Sequence, residues 1–229
     1  MSGIWVAGNA VVVLTSLVIT SYLYHLRVPA VGRRWPWVSA TIIAVTAVVT
    51  GLQFASPGLL DALRRDPDGL LDGEVWRLVA PLFVQPHGVT QVVLNGFLAL
   101  IFLPVAERLY GNGLWLVYLG PGVVYQIVNV TLFPDNGGGS STAIFGAMGA
   151  IHAYVLRHGA GSAPSPRIDK PFMVISSISV AAAVVLAVFR DGHGWGLLAG
   201  ALFALAFLRP DRPVAGRRAD GTALPVRNG

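Results

Sequence analysis

Residues 139–150 read GSSTAIFGAMGA, in which a glycine and three hydroxyl side chains lead into a helix of small apolar residues. If this helix enters a membrane, Ser141 lies near its N-terminus and below the surface, where a polar side chain costs free energy. Two interpretations remain open from this stretch alone. Small residues let transmembrane helices approach closely, and Gly146 with Ala150 has small-xxx-small spacing, so Ser141 can belong to a packing surface. Alternatively, Ser141 is a nucleophile.

The composition is that of a membrane protein. Of the 229 residues, 54% are hydrophobic and only 12% are charged, and the mean hydropathy is +0.65. The absence of cysteine excludes disulfides, a thiol nucleophile and Cys-ligated metal. The pI is near 10.1, but the basic residues are scattered and do not cluster with aromatic residues. We therefore expect a lipid bilayer and not nucleic acid as the partner of this charge.

Hydrophobic runs of roughly 18 or more residues predict transmembrane helices and hence an all-α polytopic membrane protein. Seven spans are predicted, at about residues 4–26, 37–55, 89–109, 114–133, 141–157, 171–189 and 193–208. The first run lacks a basic region before it and a small-residue cleavage site after it, so we interpret it as a retained span and not as a signal peptide. The segment from residue 209 onward is basic and rich in Pro and Gly, which is typical of a disordered tail.

A long polar interval, residues 56–87, separates the second and third predicted spans. It contains amphipathic pieces, and it is too long for a tight turn and too hydrophobic for a flexible linker. We expect this interval to lie in the membrane interface with Trp76 as an anchor.

The basic residues predict the orientation, because loops rich in Lys and Arg stay in the cytoplasm. Twelve of the 16 follow the odd-numbered spans: Arg27, Arg33, Arg34, Arg108, Arg157, Arg167, Lys170, Arg209, Arg212, Arg217, Arg218 and Arg227. The opposite side has Arg64, Arg65, Arg77 and Arg190, which acidic residues offset. This asymmetry predicts a protein of the cell membrane whose N-terminus is outside and whose C-terminus is cytoplasmic.

Four polar residues are expected at a similar depth, near the outer ends of their spans. Gln91 and Asn95 are four residues apart and share a helix face, while Ser141 and His193 begin the fifth and seventh spans. A neutral imidazole can activate a serine, and amide N–H groups can stabilise an oxyanion. Each residue also has a simpler interpretation, as interhelical hydrogen bonding or as a histidine near water. His152 lies about 16 Å deeper along its helix, and we expect it to be a buried, hydrogen-bonded histidine.

Four short motifs occur in order along the chain. They are EVWR at residues 74–77, Asn95 followed twelve residues later by Glu107, GSSTAIFG at residues 139–146, and HGWGLLAG at residues 193–200. The set resembles the rhomboid family of intramembrane serine proteases. In that family a Trp-Arg pair lies in the first outer loop, an Asn and an acidic helix end mark the second core helix, and GxSG and HxxGxxxG carry the nucleophile and the base.

This resemblance implies a rhomboid-like core of six helices over residues 37–208. One extra transmembrane helix and a basic loop, residues 1–36, precede the core, and a basic disordered cytoplasmic tail, residues 209–229, follows it. The implied activity is that of a serine endopeptidase, a hydrolase that cleaves single-span transmembrane proteins near the outer membrane boundary and needs no cofactor or metal.

The resemblance also implies roles for individual residues. Ser141 and His193 would form a catalytic dyad without an acidic residue, and Asn95 and Gln91 would help to bind the oxyanion. The residues implied as structural support are Phe145, which would stack on His193, together with Gly196, Gly200, Glu107, Trp76 and Arg77.

Two positions depart from the family pattern and keep a second function open. Gln91 replaces a histidine, and Thr142 replaces the glycine that follows the serine. The alternative is a catalytically inactive rhomboid-like protein that binds transmembrane clients. A transporter is disfavoured because the spans contain no inverted repeat and no acidic residue in a membrane interior. Zinc and aspartyl intramembrane proteases are disfavoured because HExxH and an intramembrane aspartate pair are absent.

The topology yields a direct prediction. A reporter that is active only in the cytoplasm should give signal when it is fused to the C-terminus and none when it is fused to the N-terminus. Signal from the N-terminal fusion would contradict the seven-span arrangement.

Overall fold

The computed structural model describes residues 2–25, 35–159 and 169–209. Within these ranges the chain is helical, and its β structure is a single antiparallel bridge between Arg65 and Gly137. The α-helices are α1 Ser2–His25, α2 Trp37–Ala55, α3 Pro57–Leu63, α4 Pro67–Leu71, α5 Val89–Tyr110, α6 Leu114–Leu132, α7 Ser141–Gly159, α8 Lys170–Val188 and α9 Gly192–Phe207. Short 3₁₀ helices cover Val75–Leu78, Ala80–Leu82 and Gly111–Gly113.

Seven of these helices coincide with the seven predicted spans, which confirms the prediction of an all-α, multi-pass membrane protein. Four segments of the described chain are long and apolar enough to cross a membrane: Gly3–Tyr24, Trp37–Ala55, Val89–Leu132 and Lys170–Val188. The third contains both α5 and α6, which a 3₁₀ turn joins. Helix α9 is shorter, and α7 carries polar and glycine residues that its central position hides from lipid.

Helix α7 is the centre of the bundle, since every residue from Thr142 to Val155 is buried. Helix α9 lies against it with backbone touching backbone. A Cβ atom at Gly196 would overlap the carbonyl of Thr142, and one at Gly200 would overlap the carbonyl of Gly146. Such proximity is possible only where side chains are missing, and it gives dispersion contacts that replace the hydrophobic effect inside a bilayer.

The extra helix α1 is hydrogen-bonded to the core along its whole length. His152 is fully buried, with Nε2 at 2.9 Å from the Ser16 hydroxyl of α1 and Nδ1 at 3.1 Å from the Ser176 hydroxyl of α8. This confirms the prediction of a buried, hydrogen-bonded histidine. Near the C-terminal end of α1, the ring of Tyr22 stacks on Phe172 of α8.

Glu107, near the end of α5, caps the start of α2. Its carboxylate accepts the backbone N–H groups of Val38 at 3.0 Å and of Ser39 at 2.7 Å, and also the Ser39 hydroxyl at 2.6 Å. These N–H groups belong to the first turn of α2 and have no partner within that helix. A carboxylate satisfies them and also interacts favourably with the positive end of the helix dipole.

The polar interval, residues 56–87, forms a compact layer that Arg77 holds together. We call it the outer layer, after the side on which the basic residues predict it to lie. The guanidinium is buried, pairs with Glu74, and donates to the carbonyls of Asp61 at 2.9 Å and Arg64 at 2.7 Å. The Trp76 indole donates to the carbonyl of Ala62 at 3.1 Å, while half of the residue stays exposed. Its predicted anchoring in the membrane interface remains a prediction.

Most of the predicted basic loop after α1, residues 26–34, lies outside the described residues, as do the segments 160–168 and 210–229. The domain boundaries at residues 36 and 209, the disorder of the tail and the orientation of the termini therefore stay predictions.

The contact between α7 and α9 predicts the effect of filling it. We expect Gly200→Leu to cost at least the 1–3 kcal/mol typical of overpacking, because the new side chain meets backbone that cannot move aside. The melting temperature in detergent should fall by about 2–12 °C, at roughly 2–4 °C per kcal/mol. Gly51→Leu on α2 is the matched control, since a Cβ there meets nothing within 4 Å. Equal melting temperatures for both variants would contradict the close α7–α9 contact.

Candidate active site

Ser141, His193, Gln91 and Asn95 line a single cavity of about 420 Å³. They come from helices α7, α9 and α5, so the cavity lies where the N-terminal ends of these helices meet. Its other walls include Arg65, His87, Tyr125, Gln126, Gly138, Gly139 and Thr142. Within the described residues, no group of three or more His, Asp or Glu side chains is arranged to hold a metal ion.

The two serines at the start of α7, Ser140 and Ser141, have different environments. Ser141 is the first residue of α7 and is partly exposed to the cavity. Ser140 is 3% exposed, and its hydroxyl accepts a hydrogen bond from the Gln85 side-chain amide at 3.0 Å. Ser141 is therefore the serine that a bound molecule can reach.

His193 is the second residue of α9 and is held on two sides. The Phe145 ring of α7 lies 4.5 Å from the imidazole, centroid to centroid, with the planes inclined by 40°. On the other side lies Asp191, which caps α9: Oδ1 accepts the backbone N–H of His193 at 2.8 Å and is 2.7 Å from imidazole Nδ1. The resemblance implied a dyad with no acidic residue, so a carboxylate in contact with the histidine was not predicted.

Asp191 lies in the turn between α8 and α9. Burial raises the pKa of its carboxyl, but the close contact with the His193 imidazole and the hydrogen bonds from the His193 backbone and from Asn9 together outweigh burial. The net pKa lies below the usual range, so the carboxylate is ionised at neutral pH. The stabilisation that this shift provides is present above the unfolded-state pKa near 3.9 and is lost as the pH falls through the folded-state value.

Asn95 belongs to a chain of amide side chains beneath the cavity. Its Nδ2 donates to Gln85 Oε1 at 2.8 Å, and Gln85 is itself fixed by two hydrogen bonds between its backbone and the Gln53 side chain, at 2.8 and 2.9 Å. All three residues are buried. The chain therefore sets the orientation of the Asn95 amide.

Gln91 holds the glycine loop, residues 136–139, which precedes α7. Its Nε2 donates to the carbonyl of Gly138 at 3.2 Å, and its Oε1 accepts the backbone N–H of His87 at 2.9 Å. Gly139 adopts a φ of +132°, and a Cβ there would overlap the Gln91 amide. Only glycine meets both requirements, which explains why this position, two residues before Ser141, lacks a side chain.

The side chain of Thr142 is directed toward α9. Its Cγ2 lies 3.0 Å from the position that a Cβ of Gly196 would take, and the residue is buried. The methyl group of this unusual threonine therefore occupies the space that the glycine of α9 leaves.

Arg65 closes the cavity from the outer layer. Its guanidinium bonds Asp135 through the carboxylate at 2.5 Å and the carbonyl at 3.0 Å, and it lies 5.2 Å from the centre of the Tyr125 ring. Its backbone pairs with Gly137. One residue thus joins the outer layer, α6 and the glycine loop.

Sequence reasoning singled out neither Gln85 nor Asp191 as a site residue. A signal for Asp191 exists in the sequence, because an Asp at the start of a predicted helix is a good N-cap and lies two residues before the histidine. Gln85 has no such local signal, since its partners are distant in the chain.

Comparisons with known proteins identify the family. A model of the rhomboid domain matches residues 72–210, which is more than half of the chain. Rhomboid protease GluP of Bacillus subtilis (strain 168) is 27% identical over 150 residues, which cover 65% of this chain and 29% of that protein. The putative rhomboid protease YdcA of the same organism is 32% identical over 124 residues, 51% of this chain and 62% of that protein. The aligned part is thus less than two thirds of either relative. On the domain match and these similarities, the chain belongs to the rhomboid family.

Proposed function

We propose that this protein is an intramembrane serine endopeptidase in which Ser141 is the nucleophile and His193 the general base. The observation that carries the proposal is that an accessible serine and a histidine, on two helices in glycine-mediated contact, line one polar cavity. Glycines at the α7–α9 contact bring the two backbones closer than side chains would allow. A site that only bound transmembrane clients would need neither this serine nor this histidine.

The proposed reaction is acyl transfer to the serine followed by hydrolysis. Ser141 Oγ attacks the carbonyl carbon of the scissile peptide bond while His193 takes the hydroxyl proton. The C–N bond then breaks as the imidazolium returns that proton to the leaving amine. A water molecule, deprotonated by the same imidazole, attacks the acyl-serine, which releases the new carboxylate and regenerates the hydroxyl.

The oxyanion formed in each step needs hydrogen-bond donors, and the cavity supplies uncharged ones. Asn95 Nδ2 and Gln91 Nε2 each carry two hydrogens, of which one is used, by Gln85 and by the carbonyl of Gly138 respectively. The second hydrogen of each amide is available to an oxyanion, together with the backbone N–H of Ser141. Because the amides are already fixed by these hydrogen bonds, they need little reorganisation during the reaction.

The proposed substrates are single-span transmembrane proteins, cleaved near the outer boundary of the membrane. Support comes from the position of the cavity at the N-terminal ends of α5, α7 and α9, next to residues 56–87. The distribution of basic residues predicts that this side is outside.

Serine substitutions test the proposal. Ser141→Ala should lower cleavage of a model single-span substrate in liposomes by on the order of 10⁴-fold or more, as expected for the loss of a nucleophile. It should also abolish labelling by a fluorophosphonate probe. Ser140→Ala is the matched control and should keep the labelling, because its hydroxyl is already bonded to Gln85. Wild-type protein that folds but neither cleaves nor labels would favour the alternative of an inactive, client-binding rhomboid.

Gln91 substitutions test the oxyanion donors. Gln91→Glu keeps the acceptor for the His87 N–H and removes the donor, so we expect turnover to fall by about 10²–10³. Gln91→His restores a donor and should retain much of the activity. Thr131→Ala on α6 controls for handling, since that hydroxyl bonds only carbonyls of its own helix. If Gln91→Glu turned over substrate at the wild-type rate, Gln91 would have no part in oxyanion binding.

A further inference from the structure

The environment of His193 contains a carboxylate whose position is set by the extra helix α1. We propose that Asp191 is a positioning residue that fixes the orientation and tautomer of the His193 imidazole, and that Asn9 of α1 holds this carboxylate in place. The inference rests on the proposed function, because it concerns the base of that same site. It adds two positioning residues, Asp191 and Asn9, to the expected pair of Ser141 and His193.

The first step is the contact between the carboxylate and the ring. Asp191 Oδ1 lies 2.7 Å from His193 Nδ1 and also accepts the backbone N–H of His193 at 2.8 Å. Nδ1 is buried and makes no well-aligned hydrogen bond within the described residues, so the carboxylate approaches it obliquely. Catalytic hydrogen bonds that are poorly aligned in the free enzyme often tighten only when substrate binds.

The second step follows from imidazole chemistry. A neutral ring carries one hydrogen, and a hydrogen-bond acceptor at one nitrogen keeps the hydrogen there. With the hydrogen on Nδ1, facing Asp191, the lone pair is on Nε2 and is available to take the Ser141 proton. The carboxylate then stabilises the imidazolium that this proton transfer forms.

The third step is the fixation of the carboxylate itself. Asn9 Nδ2 donates to Asp191 Oδ2 at 2.8 Å and to the carbonyl of Trp5 at 2.9 Å, so both of its hydrogens are used. The Trp5 indole donates to the carbonyl of Phe189 in the same turn, at 3.2 Å. Because Asn9 occupies Oδ2, the carboxylate presents Oδ1 to His193.

The packing of α1 supports a fixed position for Asn9. Gly8 lies so close to α8 that a Cβ there would be 2.7 Å from the Leu186 side chain. The turn after α8 is also constrained, since Arg190 adopts a φ of +65° and its guanidinium lies 5.1 Å from the centre of the Phe133 ring. Together with the hydrogen bonds from Trp5 and Asn9, these contacts fix α1 relative to the turn.

Other charged and titratable groups around the cavity bear on any pH profile. The outer layer contributes Arg65, which is paired with Asp135, and the segment before α5 contributes His87. Helix α6 contributes the Tyr125 phenol, and the turn contributes Arg190 beside Asp191 itself. Helices α7 and α1 face His193 and Asp191 with the neutral Phe145 and Asn9.

A different role must be separated from this one, because Asp191 also caps α9. Asn and Ser cap helices about as well as Asp does, so Asp191→Asn and Asp191→Ser preserve the cap and remove the charge. We expect both variants to keep the wild-type melting temperature and KM. Their kcat should fall on the order of 10²–10⁴-fold, since the corresponding loss of charge in a serine-protease triad lowers kcat by about 10⁴. The pH profile of kcat/KM should also differ from that of the wild type, because a charged group beside the base is removed.

The part played by α1 is tested by Asn9→Leu, with Thr15→Ala on the same helix as control. The Thr15 hydroxyl bonds only carbonyls of α1, so its loss should leave kcat unchanged. Asn9→Leu should lower kcat about tenfold at constant KM, as expected when a hydrogen bond to a charged group is lost. A wild-type kcat and pH profile for both Asp191 variants would overturn the proposal, and a wild-type kcat for Asn9→Leu alone would overturn the role of α1.

Nitrogen-15 NMR of histidine-labelled protein gives a test that needs no cleavage. With the His193 signals assigned by their loss in His193→Ala, the neutral ring should carry its hydrogen on Nδ1 in the wild type and lose this preference in Asp191→Asn. A hydrogen on Nε2 in the wild type would overturn the proposal. If the wild type shows the Nδ1 tautomer and yet cleaves nothing, the positioning of His193 stands and the protease function fails.

Discussion

The contact between the backbones of α7 and α9 is the constraint on which the rest of this structure depends. Gly196 and Gly200 lie directly on carbonyl groups of α7, so neither helix can rotate or slide without a clash. In a bilayer, where burial of apolar side chains does not distinguish protein from lipid, such shape complementarity is a main source of stability. It also determines that the first residue of α7 and the second residue of α9 line the same cavity.

A second set of interactions fixes the cavity at the N-terminal ends of α5, α7 and α9. Arg77 ties together the layer before α5, and Arg65 ties that layer to α6 and to the glycine loop. Beneath them, Gln53, Gln85 and Asn95 satisfy one another in the interior. Buried polar groups of this kind are costly unless every partner is present, so the network favours a single arrangement of the loops. The polar residues around the cavity thus favour one folded arrangement in addition to providing chemical groups.

The sequence predicted what is local and periodic and did not predict pairings between distant residues. Helix α2 was expected at residues 37–55 and is found there, because a long apolar run bounded by polar residues has few alternatives in a membrane. Gly196 and Gly200 are four residues apart, a spacing that by itself puts them on one face of a helix. The bond between Gln85 and Ser140 joins residues 55 apart, and that between Asn9 and Asp191 joins residues 182 apart. No periodicity records such pairs. Since the family pattern contains no acidic partner for the histidine, the resemblance also directed attention away from Asp191.

The buried His152 has a consequence for the order in which this protein assembles in the bilayer. Its two hydrogen-bond partners come from α1, 136 residues earlier, and from α8, 24 residues later. While α1 waits alone in lipid, Ser16 can bond a carbonyl of its own helix, so the delay costs little. An imidazole in the middle of α7 has no comparable resource, and unsatisfied it would cost several kcal/mol in hydrocarbon. Helix α1 is made before α7 and supplies one of the two partners that this imidazole needs, so its presence lowers the free-energy cost of accepting the central helix into the membrane.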